Sequence, residues 1–191
     1  MSVIANHLFS SLLNSHPVLL ISSRSGRANT IAPLIWYSPL SCDPPLIGIS
    51  LKPSTQSFQY IREAGDFILG IPGGDLIKTT HFCALHSGKD LDKLFHLNLP
   101  TQRGKAVSPL FISTCLANIE CRVRDIYITG NRPFISGEVL SVYVDDNHYR
   151  NGWLPSATFI HYISGNLYRI GDEIVDMSSM RPGYVPPNSI V

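Results

Sequence analysis

Charge is scarce in this chain. Of its 191 residues 15% are charged and 44% hydrophobic, and 15 basic against 14 acidic side chains leave a net charge of +1. No run of three basic residues occurs, so nothing marks a nucleic-acid or polybasic membrane surface. No apolar run reaches the ~18 residues of a membrane-spanning helix. The stretch from Met1 to Ser23 is apolar, but it lacks a basic leading segment and Pro17 interrupts it, which argues against a secretory leader. Cysteine is sparse as well. Cys42, Cys83, Cys115 and Cys121 match neither a Cys-x-x-Cys redox pair nor a zinc knuckle, and a reduced, cytoplasmic setting is expected. Also missing are a Gly-x-Ser-x-Gly elbow, a Gly-x-Gly-x-x-Gly turn after a strand and a Walker phosphate loop. With no side-chain catalytic machinery announced, an enzyme built from this chain would rely on a cofactor.

The length points to one domain over residues 1–191. A domain of this size buries roughly 70% of the surface its unfolded chain exposes, so neither disulfides nor a structural metal are needed. The low charge density also points to apolar surface covered by a partner chain.

Most segments read as short strands. Residues 17–23 form a continuous apolar run that ends at Arg24-Ser25-Gly26-Arg27, a hairpin turn. Asn29 to Trp36 is the expected return strand, with Pro33 placing it at an edge or a bulge. Asp43-Pro44-Pro45 forces a turn before a buried strand over 46–51, and both prolines are expected just outside the ladder because they lack amide donors. A helix follows, capped by Ser54 or Thr55 and closed at Gly65. Residues 66–71 then read as a strand, and 75–96 as short helices. Ile119, Cys121 and Val123 alternate with Glu120, Arg122 and Arg124, the signature of a half-buried strand with the polar set outward. The phase slips at Asp125-Ile126, which predicts a bulge. Gly130 to Pro133 is a turn, Phe134 to Val144 the partner strand, and 158–162 with 166–170 a final hairpin around Ser164-Gly165. From about 173 the chain is Pro-rich and reads as an extended tail. Many short strands with few helices predict a mainly β fold, a closed or partly closed barrel or a sandwich. The βαβ alternation of a doubly wound sheet is absent.

The segment Ser50-Leu51-Lys52-Pro53-Ser54-Thr55 leaves a buried strand and enters a helix. It brings hydroxyls, a cation and unpaired helix-terminal amides together, a combination suited to phosphate. Equally, Thr55 could serve as a cap alone, with Lys52 solvated. Asn29-Thr30 could read the polar edge of a planar heterocycle or simply stabilise a turn. His81 and His86 stand five residues apart, about 140° around a helix, rather than facing one metal as an i, i+4 pair would. No metal is expected. Asp145-Asp146 reads as a solvated turn.

Taken in order, several stretches resemble one family. Residues 29–46, with Asp43-Pro44-Pro45 as their most specific part, look like the signature of flavin reductase-like proteins, the group that includes flavoredoxin. The spacing to Ser50–Thr55 fits, as do residues 60–67, Ser87-Gly88-Lys89-Asp90-Leu91-Asp92-Lys93-Leu94, the pair 116–121 and 135–139, and Gly165-Asn166-Leu167-Tyr168. The resemblance covers roughly 15–172. It implies a homodimeric FMN-binding split barrel with Ser50, Lys52 and Thr55 on the phosphate. It further implies Asn29, Thr30, Ser41 and Cys42 bordering the isoalloxazine, and Ser87, Gly88 and Lys89 closing over it. The implied activity is NAD(P)H-dependent flavin reduction or flavoredoxin-like electron transfer, with hydride passing from NADH or NADPH to flavin N5 and on to an unidentified acceptor. Reduction of free flavin, FMN storage or sensing, and a plain interaction barrel are the alternatives.

Overall fold

The computed structural model describes Leu13 and residues 16–171, so the Pro-rich tail expected from about 173 lies outside the described residues. Strands β1 (Leu19–Ser25) and β2 (Ala28–Leu34) form a hairpin turning at Gly26, whose φ of 55° suits a residue without a Cβ. β3 (Tyr37–Cys42) and β4 (Pro45–Ser50) form a second hairpin around Asp43-Pro44. Helix α1 (Gln56–Ala64), β5 (Asp66–Ile71), α2 (Ile77–Leu85), α3 (Lys93–His96) and a small hairpin of β6 (Thr101–Arg103) with β7 (Leu110–Ile112) follow. The chain continues with the long pair β8 (Ala117–Thr129) and β9 (Arg132–Val144), then β10 (Ile160–Ser164) and β11 (Leu167–Ile170).

Seven strands make one antiparallel sheet in the order β2-β1-β5-β8-β9-β4-β3. The two edge strands, β2 and β3, are consecutive in the chain, with only Ile35 and Trp36 between them. Laid flat, seven strands would hold their edges about 29 Å apart, whereas the stretch from Leu34 to Tyr37 reaches at most about 11 Å. The sheet therefore rolls up until its edges approach, giving a split barrel. Pro33 sits in edge strand β2, as expected of a residue with no amide to donate.

Two hydrophobic layers explain why residues 17–23 read as a continuous apolar run. Leu19 and Ile21 point into the barrel with Ile49, Phe67, Leu69 and Ile135. Leu20 points outward, into a second cluster with Ile31, Cys83, Leu94 and Ile112. The excursion over residues 72–116 supplies that outer layer, so β1 is covered on both faces. Helix α1 contributes Phe58 and Ile61 to the barrel interior. Thr55 accepts the Phe58 amide at its N-terminus, and Gly65, at φ 73°, closes its C-terminus.

Three expectations need correction. β3 was not foreseen: Tyr37-Ser38-Pro39-Leu40-Ser41-Cys42 is a mostly exposed edge strand with an irregularity between Pro39 and Ser41, so it carries no alternating apolar signal. Pro45 lies inside the ladder opposite Cys42, as the first residue of β4, a position where a missing amide costs little. Glu120 does not face solvent but is fully buried. The loop between β6 and β7 folds over it: the Ala106 amide and the Tyr143 hydroxyl both donate to Glu120 Oε2, at 3.1 and 3.3 Å. The bulge expected near Asp125 is present, with a second register shift between Glu120 and Cys121.

Candidate functional site

An open cleft of about 700 Å³ lies where three segments converge: the β2–β3 corner, the β4–α1 turn, and the C-terminal end of α2 with the residues after it. Such a volume accommodates a cofactor-sized ligand. Each wall follows from local sequence. The corner at Ile35-Trp36 borders the cleft, and the β4–α1 turn directs the N-terminus of α1 into it. On the third side Gly88 lets the segment after α2 approach β2.

The α1 end of the cleft is built for an anion. Thr55 Oγ1 accepts from the Phe58 amide at 3.3 Å and donates to the Lys52 carbonyl at 2.8 Å. That leaves the amides of Gln56 and Ser57, both lining the cleft, without an acceptor among the described residues. The exposed Lys52 side chain makes no hydrogen bond or ion pair among the described residues and borders the same space. Two unpaired amides, the positive end of a nine-residue helix and a free ammonium converge there.

The wall made by β2 and the segment after α2 is closely packed, and it adjoins the α1 end. A Cβ on Gly88 would run into the Thr30 hydroxyl and stand 3.4 Å from Gln56 Cβ. Trp36 stacks under the Arg132 guanidinium, 4.2 Å from its ring centroid. Lys93, almost fully buried, donates from Nζ to the Ile31 carbonyl at 2.8 Å and the Cys83 carbonyl at 3.0 Å. Burial holds the Lys93 ammonium below its usual range, with Cys83 partly opposing that shift. Burial likewise pushes the Cys83 thiol up to about 11, against the pull of the Lys93 cation.

Residues 11–169 match the flavin reductase like domain. The chain belongs to the flavin reductase-like family. An uncharacterized protein of Archaeoglobus fulgidus is 34% identical over 56% of this chain, which spans 60% of that protein's length. Among solved structures, flavoredoxin of Methanosarcina acetivorans superposes with a TM-score of 0.81 at 22% identity, covering 94% of this chain and 96% of that one. An FMN-binding protein from Thermus thermophilus, solved with bound 1-cyclohex-2-enone, superposes at 0.80 with 21% identity, covering 92% and 98%. At these identities the likeness is one of fold.

Within this flavin reductase-like barrel, six of the ten residues singled out in the sequence line the cleft: Thr30, Ser50, Lys52, Thr55, Ser87 and Gly88. Lys89 is exposed just beyond it, its amide donating to Ser87 Oγ at 3.1 Å. Asn29 faces elsewhere and accepts the Leu110 amide at 3.3 Å, tying β2 to β7. Ser41 and Cys42 stand at the far end of β3, opposite Leu46 and Pro45, away from the cleft of their own chain. His81 and His86 go separate ways: His81 meets the Tyr168 hydroxyl at 3.2 Å, while His86 stacks on Phe82.

Sequence reasoning missed Gln56, Ser57, Trp36, Arg132 and Lys93. The amides of Gln56 and Ser57 follow from the Thr55 cap once it is assigned. Lys93 sits inside the polar run 87–94 and reads there as one more solvated lysine, with nothing local to mark its burial.

No helix among the described residues is long and apolar enough to cross a membrane.

Proposed function

We propose that this flavin reductase-like chain binds FMN in the cleft and works as an NAD(P)H-dependent oxidoreductase. The observation that carries the proposal is the pair of unpaired amides at Gln56 and Ser57 beside the free Lys52 ammonium. This is a phosphate-sized anion site at one end of a cleft large enough for the rest of a flavin mononucleotide.

In this reading Lys52 and the two amides hold the phosphate, and Ser50 adds a hydroxyl at the same end. Thr55 acts through the turn, since the one hydrogen of its hydroxyl is already donated to the Lys52 carbonyl. Thr30 and Gly88, packed against each other, form part of the wall on which the ligand would lie, with Ser87 and Lys89 beside it. Trp36 and Arg132 form a rigid wall at the corner. When bound, FMN supplies hydride acceptance from NADH or NADPH at N5 and onward electron transfer, chemistry for which the protein need provide only position and electrostatics. The reading includes a homodimer, in which a second copy would cover exposed apolar side chains of the long β8–β9 pair such as Tyr127 and Ile128.

Two measurements test this. Purified protein mixed with FMN and desalted should retain the flavin absorbance bands. Under anaerobic stopped flow, NADH or NADPH should bleach those bands, and bleaching by neither donor would exclude direct reduction. Turnover of added free FMN or FAD would identify free flavin as the product rather than a bound carrier.

A further inference from the structure

One corner of the barrel gathers cations that are scattered along the chain. The loop between β6 and β7 is held there by side chains from four strands. Arg24 of β1 donates to the Ser108 carbonyl at 3.2 Å, and Arg122 of β8 donates to the Ala106 carbonyl at 3.1 Å. Asp66 of β5 accepts the Ser108 amide at 2.9 Å and the Ser108 hydroxyl at 3.1 Å. Tyr143 of β9 accepts the Lys105 amide at 3.1 Å. Arg103 closes β6 opposite Leu110, whose amide donates to Asn29. Arg27 follows Gly26, whose carbonyl accepts from Arg24 at 2.8 Å. Arg24, Arg27, Arg103, Lys105 and Arg122 thus meet in one corner, a third of the 15 basic residues of the chain.

Their charges are not neutralised by ion pairs among the described residues. Of the carboxylates set among them, Asp66 uses both oxygens on Ser108, and Glu120 is buried beneath the loop. Glu138, opposite Arg122 in register, is engaged by Arg124 at 3.3 Å. Arg24 and Arg122 are fixed by backbone carbonyls yet keep further N–H donors, in the planar fork that matches a carboxylate. The side chains of Arg27, Arg103 and Lys105 are exposed and make no hydrogen bond among the described residues. In a chain of net charge +1 this is a local field, not a general excess of positive charge.

We propose that this corner docks an acidic protein, an electron carrier that presents clustered carboxylates. Charge complementarity fixes the sign of the partner: two anchored guanidinium groups ringed by exposed cations steer and orient an acidic face. A protein fits better than a nucleic acid, because Asp66 and Glu138 are interleaved with the cations and would oppose an unbroken row of phosphates. That the partner carries electrons rests on the oxidoreductase reading given above. Thr30, on the cleft wall, stands three residues beyond Arg27, about 10 Å along an extended strand, so a docked carrier would sit close to the cleft.

The experiment titrates the full chain with an oxidised plant-type [2Fe–2S] ferredoxin, an acidic carrier, without flavin or nicotinamide. Cytochrome c, a basic carrier, and a DNA duplex are run beside it. Ferredoxin should bind at low salt and weaken toward physiological ionic strength. The pair Arg27→Gln and Lys105→Gln should weaken it by about fivefold, the scale of two exposed charge pairs. The pair Lys78→Gln and Arg150→Gln removes the same charge from exposed positions elsewhere and should leave binding unchanged. No ferredoxin binding, equal weakening by both pairs, or tighter binding of cytochrome c or of the duplex overturns the inference. Ferredoxin binding by a chain that retains no FMN would overturn the flavin reading and leave the acidic docking surface standing.

Discussion

The hydroxyl of Thr30 occupies the space that a Cβ on Gly88 would need. Gly88 is therefore required by close approach, since the segment after α2 meets β2 and α1 only if that position has no side chain. Gly88→Ala should push the segment away from β2 and α1. Overpacking of this kind costs about 1–3 kcal/mol, and because Ser87 and Lys89 on either side are exposed, the loss should appear mainly in FMN affinity. Fluorescence titration with FMN, alongside a thermal melt, checks this. Undiminished affinity would detach residues 86–88 from the site.

Lys52→Ala should weaken FMN binding by about 1–3 kcal/mol, the value of a charge-assisted hydrogen bond. The free protein should melt at an unchanged temperature, because Lys52 makes no side-chain contact that folding depends on. Unchanged affinity would move the phosphate site elsewhere.

Thr55 separates capping from direct binding. Thr55→Ser retains the hydroxyl that accepts from Phe58 and donates to Lys52, so stability and FMN affinity should both stay near those of the unaltered protein. Thr55→Ala loses the cap, at about 0.5–2 kcal/mol of stability. It should also weaken FMN, by loosening the turn that aims the Gln56 and Ser57 amides. An affinity loss in Thr55→Ala without any loss of stability would instead make the hydroxyl a direct ligand.

Alkaline pH should destabilise the fold. Burial raises Cys83 from 9.0 to about 11 and both Cys115 and Cys121 from 9.0 to about 12. Between those values the unfolded chain has released protons that the native thiols still hold, so stability falls as pH rises through that window. Lys93 acts in the opposite sense. Its ammonium is held low in the folded state, the unfolded chain binds the extra proton, and its contribution to stability improves with pH below 10.5. Three thiols outweigh one amine, so urea midpoints should drop from pH 8 to pH 10.5. Cys115→Ala should show a shallower drop, and an equal drop would assign the effect to other groups.

Packing glycines and the buried Glu120 show where local reading stops. Gly137 has no turn to make; a Cβ there would come within 2.6 Å of the Phe67 ring inside the barrel. Gly104 is needed for a similar reason, because a side chain at that position would overlap the Glu120 carboxylate. Neither requirement is visible along the chain, since Phe67 and Gly137, like Gly104 and Glu120, meet only after strands distant in sequence have paired.

The sequence by itself determined the local elements: the β1–β2 hairpin at Gly26, the α1 helix between Thr55 and Gly65, the β5 strand, the bulge near Asp125 and the final hairpin at Gly165. These depend on caps, turn residues and apolar periodicity within a few positions. It also determined the family, through an ordered set of short motifs, and six residues of the cleft. Only the tertiary structure decided that β2 and β3 close a barrel, that Asn29 serves β7, that Ser41 and Cys42 lie away from the cleft, and that Glu120 and Lys93 are buried. For Asn29, Glu120 and Lys93 the physical reason is the same. Whether a polar side chain meets solvent, backbone or ligand depends on what folds over it, and here the covering segment, residues 72–116, crosses strands with which it shares no local pattern.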